Sequence, residues 1–429
     1  MNSPQKTALL LISDDEIARA IESELSDAGF ISIAAKTDNV FAIADLEFAP
    51  SVILIDSPQI ERGHLPAITA AEALSPGISI PVLGLVESTP PIEIPRLDSI
   101  LVAPYHAKQI VQRVFSLIRL SEMEREIGLR LETLKSDFGY AGGLPKQNGN
   151  ERLSILFIGQ AAPEFMVIVN ALQKKNVSVV AAFTSFTAFD YLYEQDFDAV
   201  MINGLTSTEP AFTVASTMRK NAKLFHVPAI LLVNTKNFID HDAAYTSGVN
   251  DIIDADAPLL EISARLLEQA NFHKMHQSLK RDFDLIGDEK CRDQSTGLYN
   301  KGFFDAHLRR INALYARLGK PVSICLIRVR FNKADISDAN KDIGYAHIGQ
   351  LFARLLRMQD LTARLDRNLF VAAFPGQSSE ELNPVLERIR SILQCTQITD
   401  PINGAAIPMS LEITLNTLGD GIGQSFTAA

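Results

Sequence analysis

Two strings in this chain could do chemistry. Asp14 and Asp15 follow the apolar run 7–12 (TALLLI), and Asp56 follows the run 51–55 (SVILI). Carboxylates placed this way are hard oxygen donors. Arg357 and Asp360 form an R-x-x-D string. A guanidinium can fork two hydrogen bonds to a planar pair of acceptors and a carboxylate can accept from N–H donors, so the string could grip a polar ligand edge. The bland alternative is a surface ion pair at a helix end. A second R-x-x-D, Arg281 with Asp284, falls on a long helix, where a solvated pair contributes little. The apolar segment 321–329 carries Arg328 and is followed by Arg330, two cations in strand-like surroundings.

The elements that would position these groups repeat. Strand-like runs at 7–12, 31–34, 51–55, 81–86 and 99–102 alternate with amphipathic stretches such as 17–28. That alternation predicts βαβ crossovers and a parallel sheet with helices on both faces. A long helix follows over 108–137, with apolar heptad-like spacing at 110–134 that suits a core or dimer contact. It ends at GYAGGLPKQNGN (139–150), a flexible linker by composition. The pattern then restarts: runs at 153–158, 198–202, 228–233 and 251–253 follow their counterparts at an offset of about 145 to 152 residues, an internal duplication. A second long helix spans 259–285. After it come a helix (301–317), a strand (321–329), a helix (344–358), a strand (363–373), a helix (379–393) and a strand (409–416). The expected divisions are 1–138, a linker 139–150, 151–286, and 287–429.

Composition narrows the function classes. The 429 residues are 47% hydrophobic and 21% charged, with a net charge of -11. That balance fits globular cores and disfavours nucleic acid or an anionic membrane surface as a partner. No run has transmembrane length, and acids interrupt the N-terminal segment before a signal-peptide core could form. Cys291, Cys325 and Cys395 lack metal spacing and read as buried or inert thiols of a reducing cytoplasm. The eight histidines, among them His226, His241, His273, His276, His307 and His347, form no ligand cluster along the chain. There is no Walker-type loop.

The two repeats resemble response-regulator receiver domains. The resemblance implies flavodoxin-like α/β folds, Mg2+ held by Asp14, Asp15 and Asp56, and Asp56 as phosphoacceptor. The hydroxyl and lysine positions of the family are here Val86 and Ala103, the latter still followed by Pro104. The second copy has Gly159 and Gln160 for the acids, Asn203 for the phosphoacceptor and Ala255 for the lysine. It is expected to be an interface rather than a phosphoreceiver.

Residues 293–416 resemble the GGDEF diguanylate cyclase domain, an α/β nucleotidyl-cyclase-like fold. Residues 293–300 (DQSTGLYN) follow its D-x-L-T-G-L-x-N opening. In the family's L-D-I-D-H-F-K strand this chain has LIRVRFNK (326–333), which sets Arg328 at a metal ligand and Arg330 at the next acid. The signature loop is DRNLF (366–370), with Asp366 and Arg367 for the glycines and Asn368 for a metal carboxylate. The resemblance therefore implies loss of catalysis. It also implies a cyclic di-GMP site at R-x-x-D, five residues before the loop, a spacing that Arg357 and Asp360 meet. Arg388 in ERIR (387–390) would be a further ligand contact. The family's closing A-L-Y-x-A-K helix is missing or replaced after residue 416.

With two receivers in front, the chain resembles PleD-like response regulators. The resemblance implies a catalytically inactive cyclic di-GMP effector that recruits partners: a homodimer that gathers an accessory adaptor such as RcdA, the ClpXP protease and its substrate CtrA, in the cytoplasm and concentrated at a cell pole. The alternatives are a residual cyclase and a phosphorylation-gated adaptor acting through Asp56.

Overall fold

Runs of consecutive apolar residues are fully buried only when both faces of their strand are covered, as in a parallel sheet flanked by helices. The computed structural model describes residues 6–47, 49–90, 94–144, 152–160, 162–331, 336–396, 398–399, 406–407 and 409–418. Residues 145–150 of the expected linker 139–150, Lys333 and the tail beyond 418 lie outside the described residues.

The first unit contains β1 (Lys6–Leu11), α1 (Asp15–Asp27), β2 (Phe30–Ala34), α2 (Val40–Ala44), β3 (Val52–Asp56), α3 (Ser57–Glu61), α4 (Leu65–Ala73), β4 (Val82–Val86), β5 (Ser99–Val102) and α5 (Ala107–Phe138). Its strands pair in the order β2-β1-β3-β4-β5, all parallel. That is the flavodoxin-like order. Apolar layers cover both faces.

The second unit repeats the design with β6 (Ser154–Ile158), α6 (Pro163–Lys174), β7 (Ser178–Ala182), α7 (Ser185–Glu194), β8 (Ala199–Asn203), α8 (Glu209–Lys220), β9 (Ala229–Val233), α9 (His241–Thr246), β10 (Asp251–Asp254) and α10 (Leu259–Leu285). Its order, β10-β9-β8-β6-β7, is the same topology read from the other edge.

The third unit contains β11 (Tyr299–Asn300), α11 (Lys301–Arg317), β12 (Val322–Phe331), α12 (Asp338–Arg354), β13 (Leu361–Asp366), β14 (Leu369–Pro375), α13 (Ser379–Cys395), the short pair β15 (Ile398–Thr399) and β16 (Ala406–Ile407), and β17 (Met409–Leu418). Its main sheet runs β11-β13-β14-β12-β17 and is antiparallel except at β11–β13. The strand expected over 363–373 is therefore two strands. Polar Arg367 and Asn368 turn the chain between them, and Arg364 pairs with Phe370 across the hairpin. The helix expected over 344–358 is displaced to Asp338–Arg354. Ser337 caps its start by accepting from the Asn340 N–H at 3.3 Å. Cys291 and Cys325 are buried, whereas Cys395 is exposed.

α5 joins the units. At 1.5 Å per residue its 32 residues span about 48 Å. Ile110, Val114 and Leu117 pack on the first sheet. Leu120, Met123, Ile127 and Leu134 enter a core shared with Leu279 and Phe283 of α10 and Phe303 and Ile311 of α11. The heptad-like stripe is thus core within one chain. Polar ties follow the same seam: Gln109 donates to Asp251 at 2.7 Å, Arg265 chelates Asp251, and Arg113 meets Glu268 at 3.1 Å. No helix among the described residues is long and apolar enough to cross a membrane.

Candidate functional site

The R-x-x-D string sits on the turn between α12 and β13. Asp360 N–H donates to the Arg357 carbonyl at 3.1 Å, and Arg357 N–H donates to Asp360 Oδ2 at 2.9 Å. The carboxylate is therefore turned back onto its own turn. Asp360 is 6% exposed, and its Oδ1 has no hydrogen-bond partner. Burial pushes the carboxyl up to about 7; the Arg357 N–H, the Arg357 charge and Arg130 pull against this. The cover is α5. Its Arg130 guanidinium donates to the carbonyls of Met358 at 3.1 Å and Asp360 at 3.2 Å.

The guanidinium of Arg357 is exposed and lies near enough to Arg119 of α5 to disfavour the Arg119 charge. Arg388, from α13, donates to the Leu355 carbonyl at 2.7 Å. The fold thus brings Arg357, Asp360 and Arg388 around one turn. It does not aim the Asp360 carboxylate outward beside the Arg357 guanidinium, because that carboxylate caps the turn under α5.

Arg130 itself is held by a buried network that sequence reading missed. It donates to Glu126 at 2.6 Å, Glu126 meets His307 Nε2 of α11 at 2.9 Å, and His307 Nδ1 meets the Thr133 hydroxyl at 2.8 Å. Burial would push Glu126 up, but His307 and Arg130 outweigh it and hold its carboxyl below the usual range. The only sequence signal was a Glu–Arg pair four residues apart in a charge-rich helix.

The loop between β13 and β14 is tied down by arginines. Arg367 donates to Asp342 at 2.9 Å and 3.2 Å and to Asp338 at 3.3 Å, both on the first turns of α12. Arg364 pairs with Asp293 at 3.2 Å. Asn368 donates to the Val329 carbonyl at 3.2 Å, so its amide serves the sheet edge. Arg330 reaches across to Glu412 of β17 at 3.2 Å. The carboxylates bordering this loop face guanidinium groups. Among the described residues no group of three or more His, Cys, Asp or Glu side chains could hold a metal ion.

The acids of the first unit do not converge either. Asp14 Oδ1 accepts from the N–H groups of Glu16 and Ile17 and caps α1. Asp15 is exposed on the first turn of that helix. Asp56 is 7% exposed, and both its oxygens are engaged: Oδ2 accepts from Ser13 N–H at 2.5 Å, and Oδ1 from Gln59 N–H at 3.0 Å and the Ser13 hydroxyl at 3.3 Å. As arranged, these three residues do not fit Mg2+. The physical reason is competition: Asp14 is satisfied by a helix N-terminus and Asp56 by Ser13 and the start of α3, while Asp15 is exposed on the first turn of α1.

In the second unit the corresponding place is closed by an amide. Asn203 donates to the Gln160 carbonyl at 2.8 Å and accepts from Leu205 N–H at 3.0 Å. Gly159 has φ +124°, and a Cβ there would lie 2.8 Å from the Cβ of Asn203.

The fold and these sites define two flavodoxin-like units followed by a nucleotidyl-cyclase-like domain. Residues 290–421 match the family model "Diguanylate cyclase, GGDEF domain". The response regulator PleD of Caulobacter vibrioides is 24% identical over 228 residues, 52% of this chain and 50% of PleD; the chain spans about half the length of the curated relatives it matches. Among solved structures, the FimX GGDEF domain from Pseudomonas aeruginosa is 20% identical, covers 31% of this chain and 83% of its own, and has a TM-score of 0.29. The GGDEF domain of DgcB from Caulobacter crescentus, solved in complex with c-di-GMP, is 17% identical, covers 31% and 78%, and has a TM-score of 0.26.

Proposed function

We propose that this chain is a catalytically inactive cyclic di-GMP effector that binds its ligand through Arg357, Asp360 and Arg388. The observation that carries the reading is a contrast within the third unit. Arg328, Arg330 and Arg367 stand where the family needs metal carboxylates and a glycine, and Arg367 is clamped on Asp338 and Asp342. Meanwhile the three residues matching the family's product site surround one turn.

Ligand binding draws the Asp360 carboxylate out from beneath α5, so occupancy is coupled to release of that helix. The two receiver-like units supply dimerisation and docking faces. In this respect the chain resembles PopA, a catalytically dead relative of PleD. By that resemblance the partners are an accessory adaptor such as RcdA, ClpXP and its substrate CtrA, gathered at a cell pole.

Calorimetric titration with cyclic di-GMP tests the reading. Binding by the full chain, lost in Arg357→Gly, is expected. Equal affinity in the variant overturns the site. Incubation with GTP and Mg2+ is expected to yield no cyclic di-GMP; production of it overturns the inactivity.

A further inference from the structure

Histidines that are unrelated along the chain meet at the junction of the two flavodoxin-like units. His226, just before β9, and His273 and His276 of α10 line a cavity of about 40 Å3 together with Arg113 and Arg119 of α5. The rings of His226 and His276 lie 4.6 Å apart, tilted by 57°. His273 and His276 are 6% and 5% exposed. Their Nδ1 atoms and Nε of Arg119 are all buried without a hydrogen-bond partner. Folded proteins rarely leave three such nitrogens around one cavity with nothing to accept from them.

The charge here has one sign. Arg119, Lys280 and Arg219 act on His226, and His226, Arg119, His273 and Lys280 act on His276. Burial first, and these cations second, push both rings down to about 3, so they are neutral at pH 7. Two carboxylates lie nearby. Glu268 is engaged by Arg113 at 3.1 Å. Asp198 accepts from Ser154 N–H through one oxygen at 2.8 Å, and its other oxygen lies 3.9 Å from His273 Nδ1, beyond hydrogen-bond distance.

We propose that this cavity binds a small inorganic oxyanion, phosphate, which ties α5 to α10 and to the second unit. Nδ1–H tautomers of the histidines and the Arg119 N–H are donors to such an ion. A volume of about 40 Å3 holds on the order of three waters or one tetrahedral ion and leaves no space for a nucleoside. A cation is disfavoured by the surrounding charge.

Thermal unfolding of the full chain in rising phosphate, at ionic strength held constant with chloride, tests this. The wild-type midpoint is expected to rise by several degrees through mass action. Arg119→Met and His276→Leu are expected to lose that rise while unfolding, without phosphate, no lower than the wild type, because each removes an unpaired buried polar group. No rise in the wild type, or an equal rise in both variants, overturns the proposal. A rise with cyclic di-GMP but none with phosphate overturns it equally and leaves the proposed dinucleotide site at Arg357 standing.

Discussion

Asp360 is a carboxylate that the fold itself has claimed, turned onto its own turn beneath α5. Its carboxyl titrates at about 7 because burial penalises the charge. The folded-state value lies above that of the unfolded chain, so the folded state holds the proton more tightly. The resulting stabilisation is complete below the unfolded value of 3.8 and is lost as pH rises through about 7. Between pH 6 and pH 8 the wild type should lose on the order of 1 kcal/mol from this group. Urea unfolding at the two pH values measures that loss, and Asp360→Asn should flatten it. An unchanged slope in the variant would show that the carboxylate is hydrated rather than covered. Arg357 and Asp360 were legible as a string with the right spacing. The direction of the carboxylate was not, since it depends on a helix more than two hundred residues earlier in the chain.

At the scale of the element, the apolar stripe of α5 was legible as a core or dimer contact, but the burial of its charges was not: Glu126 and Arg130 are each 5% exposed. Glu126→Gln removes the charge that His307 and Arg130 share. Breaking a buried pair this way costs about 3–5 kcal/mol, which chemical denaturation should record as a lower midpoint with an unchanged slope. Arg130→Met acts differently. It frees the Met358 and Asp360 carbonyls and loosens the cover over the turn. If cyclic di-GMP binds there, its affinity should increase in this variant by several-fold in calorimetry; a decrease would mean that α5 belongs to the binding surface. The hairpin of β13 and β14 was read as one strand for a related reason. Strand propensity runs through both halves, and the interrupting Arg367 and Asn368 are not the glycine or proline that usually marks a turn.

The whole molecule is held together along the α5–α10 seam, where Asp251 is central. It accepts from Gln109 of α5 and is chelated by Arg265 of α10, all three being buried. Asp251→Ala leaves Arg265 buried without its main partner, at a cost of about 3–5 kcal/mol. Scanning calorimetry should then resolve the single cooperative transition expected of the wild type into two, as the flavodoxin-like units uncouple. Persistence of one transition at the same temperature would place the coupling in apolar contacts instead.

The sequence by itself determined the two parallel sheets, their duplication and the domain that follows, because buried strands need uninterrupted apolar runs and that requirement is local. It also set arginines, Arg328, Arg330 and Arg367, in the third unit. Only the tertiary structure decided that Asp14 and Asp56 are spent on caps and loops, that Asp360 faces inward, and that His226, His273 and His276 share a cavity. Each of those outcomes depends on which distant backbone closes over a side chain. Desolvation and hydrogen-bond competition act through space, and spacing along the chain does not encode them.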